Sequence, residues 1–151
     1  MTKMHGYIHF NLNDFALEDK FTVAAWVLSG KQGNSACAIS IESRDMNEHL
    51  VRIGGYRADG YLWGSVRRGP QVGAPEDMFY HLHSKSTGET IALERWYHVA
   101  LVREREKISF YVNGKCCDWI SAGLDNGILL KPKQVHNAYI HVICDMLIVN
   151  L

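Results

Sequence analysis

The sequence predicts an all-β fold, a two-sheet antiparallel sandwich, and three observations carry that prediction. Short runs rich in β-branched and aromatic residues recur along the chain, and Gly, Asn or Asp separates most of them. No stretch longer than about ten residues holds an apolar stripe at helical spacing. Many short strands joined by polar turns are what antiparallel sheets need in order to pack face to face. At 151 residues the chain has the size of one domain and can bury a core without metal or disulfide staples. It contains no low-complexity stretch, internal repeat or linker, so residues 1–151 are read as a single domain.

The elements follow in order. Tyr7–Leu12 opens the series. Phe21–Leu28 is dense in β-branched and aromatic residues with apolar groups on both faces, and reads as a central strand buried on both sides. Strands are expected at Ala36–Glu42, Leu50–Tyr56 and Gly60–Arg67, whereas Glu76–Lys85 reads equally as a short helix or an ordered loop. Trp96–Val102 is a further strand, turned by Arg103–Glu106 into Lys107–Val112, whose Ile108, Phe110 and Val112 share one face. Asn113-Gly114 then signals a hairpin, because both residues tolerate positive φ. Ala138–Ile143 and Met146–Leu151 close the chain.

Several of these blocks resemble one family. Phe21–Val27 looks like the F-T-I/V-x-x-W-V strand of laminin-G-like and pentraxin-like jelly rolls. Arg95–Val102 resembles their W-x-H-V-A strand, and Ile108–Lys115 their Y-V-N-G strand and turn, at the family's spacing. Tyr7–Phe10 suits the opening Y-V-x-F strand, and Ile143–Asn150 is similar to the closing I-D-D-V-R-I-Y-N strand. The resemblance therefore runs from residue 7 to 150, with residues 30–90 matching only in strand-like character. It implies a laminin-G-like, concanavalin A-like (pentraxin-type) sandwich in which the motif tryptophans and aliphatic residues fill the core. By the same resemblance the chain is a binding module for glycans or proteins, usually extracellular and often with calcium. Related jelly rolls also include glycoside hydrolases and polysaccharide lyases. The chain departs from the pattern in lacking the paired acidic calcium ligands of pentraxins, and the closing D-D is here Cys144-Asp145.

Composition narrows the partners. The 16 Lys and Arg cancel the 16 Asp and Glu, and the short pairs Arg67-Arg68 and Arg103/Arg105 do not make a nucleic-acid footprint. The N-terminus lacks the charged-then-apolar plan of a signal peptide, and no apolar run approaches the roughly 18 residues that span a membrane. The chain is therefore expected to be soluble, either cytosolic or an excised domain of a longer, extracellular protein. Cys37 and Cys144 sit in apolar runs as small hydrophobes. Cys116 and Cys117 project to opposite faces of a strand and are poor disulfide partners.

Catalytic patterns are missing. Sandwich-type glycosidases present carboxylates on one strand face, commonly as Glu-x-Asp-x-Glu, and this chain has no such run. Glu104 and Glu106 have i, i+2 spacing but fall in the expected turn, where a solvated charged hairpin is the plain reading. No Gly-x-Ser-x-Gly elbow, P-loop or His-Glu-x-x-His is present, and the expectation is that the protein is not an enzyme. A hydrolase would need a carboxylate pair assembled by folding alone. His81 and His83, with Asp77 nearby, would share a face of an extended segment, but two ligands do not make a metal site. His98 suits a structural hydrogen bond. No cofactor is required; calcium is possible, with oxygen ligands from the turns Ser43–Glu48 and Ala58–Gly60.

The candidate ligand surface is a strand pair. In Tyr61–Arg67, Leu62, Gly64 and Val66 face one side and Tyr61, Trp63, Ser65 and Arg67 the other. In Leu50–Tyr56, Val51 and Ile53 oppose Arg52 and Tyr56. Pairing these strands through Arg57–Gly60 would gather Trp63, Tyr61, Tyr56, Arg52 and Arg67 on one outer face. Aromatic rings stack on the apolar faces of sugars while guanidinium groups bind hydroxyls or acids. The same composition suits a protein hot spot. In the competing arrangement the loop 69–90 lies over Trp63 through Phe79 and Tyr80. The Gly54-Gly55 pair indicates that a loop or ligand approaches the backbone closely. The expected function is a non-catalytic, lectin-like carbohydrate-binding module, the alternative being a protein–protein interaction or structural module of a larger extracellular assembly. Expected partners are a glycan or a protein, with no nucleic acid and no membrane insertion.

Overall fold

In the computed structural model the described residues form eleven strands, all paired antiparallel, in two sheets. It describes residues 6–12, 20–28, 37–43, 48–54, 60–67, 79–88, 91–92, 94–121, 138–144 and 147–148. The strands are β1 (Gly6–Leu12), β2 (Lys20–Leu28), β3 (Cys37–Ser43), β4 (Glu48–Gly54), β5 (Trp63–Arg67) and β6 (Phe79–His83). They continue as β7 (Trp96–Glu104), β8 (Lys107–Val112), β9 (Lys115–Ser121), β10 (Ala138–Cys144) and β11 (Leu147–Ile148). One sheet has six strands in the order β1-β10-β3-β4-β5-β6, and the other five in the order β11-β2-β7-β8-β9. The two-sheet antiparallel sandwich expected from the sequence is the fold observed.

The core lies between the sheets. Ile39, Ile41, Val51, Ile53, Val66 and Leu82 from the six-stranded sheet meet Ala25, Val27, Val99, Leu101, Ile108 and Phe110 from the other. These are alternate positions along their strands, so each strand gives its second face to the outside. Gly64 sits where the sheets approach closely. A Cβ there would stand 3.0 Å from Leu101 Cδ1 and 3.1 Å from Phe110 Cδ2.

The hairpin signal at Asn113-Gly114 is realised with φ of 49° and 79°. Asn113 is clamped to β7 from both ends of its hydrogen-bonding capacity. Its N–H donates to the His98 carbonyl at 2.7 Å, and its Oδ1 accepts the His98 N–H at 2.9 Å. Both bonds are made by the His98 backbone and do not depend on its imidazole. β9 supplies the second arm, with a bulge at Cys117 that leaves this thiol buried while Cys116 is exposed.

Three expectations need correction. Segment Glu76–Lys85 is neither helix nor loop where it is described: Phe79–His83 is strand β6, followed by a single turn of 3-10 helix at Ser84–Thr87. Its apolar Tyr80 and Leu82 alternate with His81 and His83, and that period-two pattern lays the segment against Val66 and Gly64 of β5. Strand β2 is not buried on both sides. Ala25 and Val27 are in the core, but Thr22 is exposed and Trp26 keeps 42% of its surface. Nor do the motif tryptophans fill the core, since Trp96 is 41% exposed. Among the described residues the five-stranded sheet has one face on the core, while Trp26, Trp96 and Trp119 on its other face are exposed.

Candidate functional site

The two strands singled out in the sequence do pair. β4 and β5 run antiparallel with Arg52 opposite Ser65 and Gly54 opposite Trp63. β3 sets Ser40 opposite Arg52, while β6 sets His81 opposite Ser65 and His83 opposite Trp63. Directly paired residues share a face. Two rows therefore cross the outer side of the six-stranded sheet, Ser40–Arg52–Ser65–His81 and, beside it, Gly54–Trp63–His83.

Trp63 takes an unusual seat. Its indole lies over Gly54, so close that a Cβ at position 54 would overlap Cε2 and Nε1 of the ring. The close approach signalled by Gly54-Gly55 is therefore that of a side chain from the next strand. The indole Nε1 is buried and makes no hydrogen bond, and the same holds for Nδ1 of its cross-strand neighbour His83.

Other contacts fix the surroundings. Arg52 Nε donates to Ser40 Oγ at 3.4 Å, which lays the guanidinium along its row. The His83 backbone N–H donates to Asp118 Oδ2 at 3.1 Å, and His83 Nδ1 lies 3.7 Å from the same oxygen. Asp118 Oδ1 accepts the Trp119 N–H at 2.9 Å. Asp118 thus joins the edge strands β6 and β9 of the two sheets. At the same end, Ser84 closes the entry to β5: its N–H donates to the Leu62 carbonyl at 2.9 Å, and its Oγ accepts the Leu62 N–H at 3.2 Å. The Lys85 ammonium stands 5.5 Å from the centre of the Tyr61 ring.

Of the five residues expected to form the surface, Arg52 and Trp63 come together on adjacent rows, both half-buried, with Tyr61 half-buried at the end of the face. Arg67 lies on the same side of β5 but is only 4% exposed, and desolvation lowers its pKa. It is not the open guanidinium fork expected. Tyr56 lies outside the described residues, as do Asp77, residues 44–47 and residues 58–59 of the acidic turns. Phe79 and Tyr80 stand away from Trp63. Tyr80 points into the core, and Phe79 pairs with Arg67, its ring 6.0 Å from that of His81.

Ser40, His81, His83 and Asp118 are additions that the sequence reading did not place at this face. His81 and His83 were legible, since they alternate with two core residues. Ser40 and Asp118 reach the site through long-range register and carry no local signal. Glu104 and Glu106 flank Arg105, which has φ of 53°, in the exposed turn between β7 and β8. Among the described residues no three His, Cys, Asp or Glu side chains gather as metal ligands do.

The opposite sheet has its own aromatic surface. Trp26, Trp96 and Trp119, which is 61% exposed, project from the outer side of β2, β7 and β9. Trp26 packs beside His98 with ring centres 5.3 Å apart, and the Lys107 ammonium stands 5.3 Å from the Trp119 ring centre.

Comparison with known proteins gives a family and a set of folds. The family model described as the concanavalin A-like lectin/glucanases superfamily matches residues 2–118. No curated protein matches the chain. Among solved structures it is similar to a native heptameric SAP-like pentraxin from Limulus polyphemus, with a TM-score of 0.59 and 17% identity over 95% of this chain and 59% of that one. It is similar to the CBM40 of a Ruminococcus gnavus IT-sialidase bound to α2,3-sialyllactose, with a TM-score of 0.59 and 11% identity over 84% of this chain and 64% of that one. It is also similar to the laminarinase catalytic domain from Thermotoga maritima, with a TM-score of 0.55 and 10% identity over 90% of this chain and 55% of that one. The chain thus spans less than two thirds of the length of each, and at such identities the likeness is one of fold.

Proposed function

The chain belongs to the concanavalin A-like lectin/glucanase superfamily, and on that premise we propose that it is a non-catalytic, lectin-like module whose carbohydrate ligand lies on the outer face of the six-stranded sheet. The observation that carries this reading is the seat of Trp63. Its ring lies over Gly54 with Arg52 on the adjacent row and His83 beside it. A sugar offers apolar C–H faces and polar hydroxyl edges, and an indole flanked by guanidinium and imidazole meets both. The fold is shared with a sialidase CBM40 bound to sialyllactose, which supports the same reading.

Two points favour binding over catalysis. Retaining glycosidases need two carboxyl groups about 5–5.5 Å apart, and inverting ones about 6.5–9.5 Å. Among the residues whose side chains are described, the carboxylate next to His83 is that of Asp118, on the neighbouring edge strand β9, and its two oxygens accept backbone N–H groups of His83 and Trp119. The test is a glycan array, run with calcium and with chelator, on wild type and on Trp63→Ala. Binding that Trp63→Ala abolishes while the domain stays folded supports a lectin with its site here. Loss in chelator would add a calcium ion to the site. A well-folded domain silent across the array overturns the reading.

A second reading, a protein–protein interaction module, is favoured by Trp26, Trp96 and Trp119. Large rings held partly exposed on one sheet are the usual anchors of protein interfaces.

A further inference from the structure

Resting on the protein-interface reading of the five-stranded sheet, we infer that the partner of its outer face is a second copy of this chain. The two copies pack sheet to sheet about a two-fold axis that runs along the strands, between β7 and β8. The register lays this face out in rows, each crossing from β2 through β7 and β8 to β9. One row is Thr22–Val102–Ser109–Trp119, and beside it, towards the β7–β8 turn, lies Lys20–Glu104–Lys107–Ser121. On the other side of the first row stands Ala24–Ala100–Tyr111–Cys116. Beyond that, Trp26 pairs with His98, which is bonded to Asn113 at the tip of the β8–β9 hairpin.

An axis lying in the plane of contact sets each residue opposite the place that mirrors it across the axis, here β2 against β9 and β7 against β8. Such a face fits a copy of itself when mirrored places carry large against small and plus against minus. Trp119, the most exposed of the three tryptophans, falls opposite the exposed Thr22 of the second copy. Trp26 falls opposite the turn Asn113-Gly114, where a side chain on Gly114 would meet nothing within 4 Å, so the ring has room. Lys107 falls opposite Glu104 of the second copy, and Glu104 opposite its Lys107, which makes two ion pairs. Within the chain Lys107 stands over the Trp119 ring, and among the described residues neither it nor Glu104 has an ion-pair partner. Equal numbers of basic and acidic residues leave no net charge to push two copies apart. The nine residues of β2 and β7 give the face a length of about 30 Å, and four strands give it a width of about 19 Å. Two such faces bury roughly 1,100 Å² together, enough for a specific but reversible pair. The six-stranded sheet lies on the far side of each core, so the face that carries Trp63 stays open in the pair.

Analytical ultracentrifugation of the full chain from ~1 to ~300 µM tests this. The expected result is a reversible monomer–dimer equilibrium with a dissociation constant in the micromolar range. Trp119→Ala should weaken the dimer about tenfold or more, and so should Lys107→Glu, which sets like charges against each other at two places. Adding Glu104→Lys to Lys107→Glu restores opposite charges across the axis and should recover most of the loss. All three positions are exposed, and melting curves at the dilute end of the range check that each variant is folded. A chain that stays monomeric throughout overturns the inference and leaves the aromatic face open to a different protein. A dimer indifferent to Trp119→Ala and Lys107→Glu overturns it as well, since the copies then meet elsewhere. A double variant no tighter than Lys107→Glu alone overturns the two-fold arrangement. A monomeric chain whose saccharide binding is lost in Trp119→Ala overturns the protein-interface reading together with the inference.

Discussion

Trp63 and Gly54 face each other across β4 and β5, and the indole of one occupies the space where a side chain of the other would stand. The pair explains how a large aromatic can sit against the backbone on the outer side of a sheet. A residue with a Cβ at position 54 would displace the ring from the backbone.

Gly54→Ala should therefore act through Trp63. Overpacking of this kind costs about 1–3 kcal/mol, and the displaced ring should weaken saccharide binding as Trp63→Ala does. Chemical denaturation gives the cost, and indole fluorescence reports the displacement. In a Trp63→Ala background the same substitution should be close to neutral, so a double-mutant cycle should return a coupling of about 0.5–3 kcal/mol. A Gly54→Ala chain with wild-type stability and fluorescence would mean that the ring is not seated there.

Gly64→Ala separates stability from binding. Its Cβ would press on Leu101 and Phe110, both fully buried, so a loss of about 1 kcal/mol is expected. Because Gly64 faces the core, saccharide affinity measured on the folded fraction should not change. A weaker ligand affinity in this variant would mean that the outer face depends on how closely the sheets pack.

The reach of sequence reasoning differs between fold and site. Alternation along Lys107–Val112 and the Asn113-Gly114 turn predicts β8 and its hairpin because both signals are local. The face of Tyr61–Arg67 is equally legible: Leu62, Gly64 and Val66 point inward as the period of two requires. What alternation cannot say is how much of the other face meets water. Arg67 occupies an outward position and is still buried, while Trp26 sits in an apolar run and remains partly exposed. Both outcomes depend on which strands and layers lie alongside. Ser40 and Asp118 are further from local reach, since they join the site through partners 12 and 35 residues away.

Asp118 should matter for the edge where the two sheets meet. Each of its oxygens accepts a backbone N–H, from His83 at 3.1 Å and Trp119 at 2.9 Å. Hydrogen bonds to a charged acceptor contribute about 1.5–3 kcal/mol when buried, and the partial exposure of this carboxylate argues for the lower end. Asp118→Ala should cost about 1.5 kcal/mol and speed hydrogen exchange at the His83 amide. Asp118→Asn keeps one accepting oxygen and should fall between the two. Unchanged exchange at His83 in Asp118→Ala would show that β6 is held by its pairing with β5 alone.

The tryptophans of the five-stranded sheet decide between the two faces. Trp119 is mostly exposed and meets Lys107, a contact of about 0.5–1 kcal/mol, so Trp119→Ala should cost no more than that. Trp26 rests against His98 and is more than half covered, so Trp26→Ala should cost more, on the order of 1–2 kcal/mol. Neither change touches Gly54, Trp63 or Arg52, and saccharide binding should survive both. If binding is instead lost in Trp26→Ala and Trp119→Ala and retained in Trp63→Ala, the ligand sits on the five-stranded sheet, and the row through Arg52 has no part in it. If binding survives all three but sedimentation shows self-association that Trp26→Ala and Trp119→Ala abolish, the aromatic face is a protein interface working beside the saccharide site. The two sheets then divide the labour, each through its outer side.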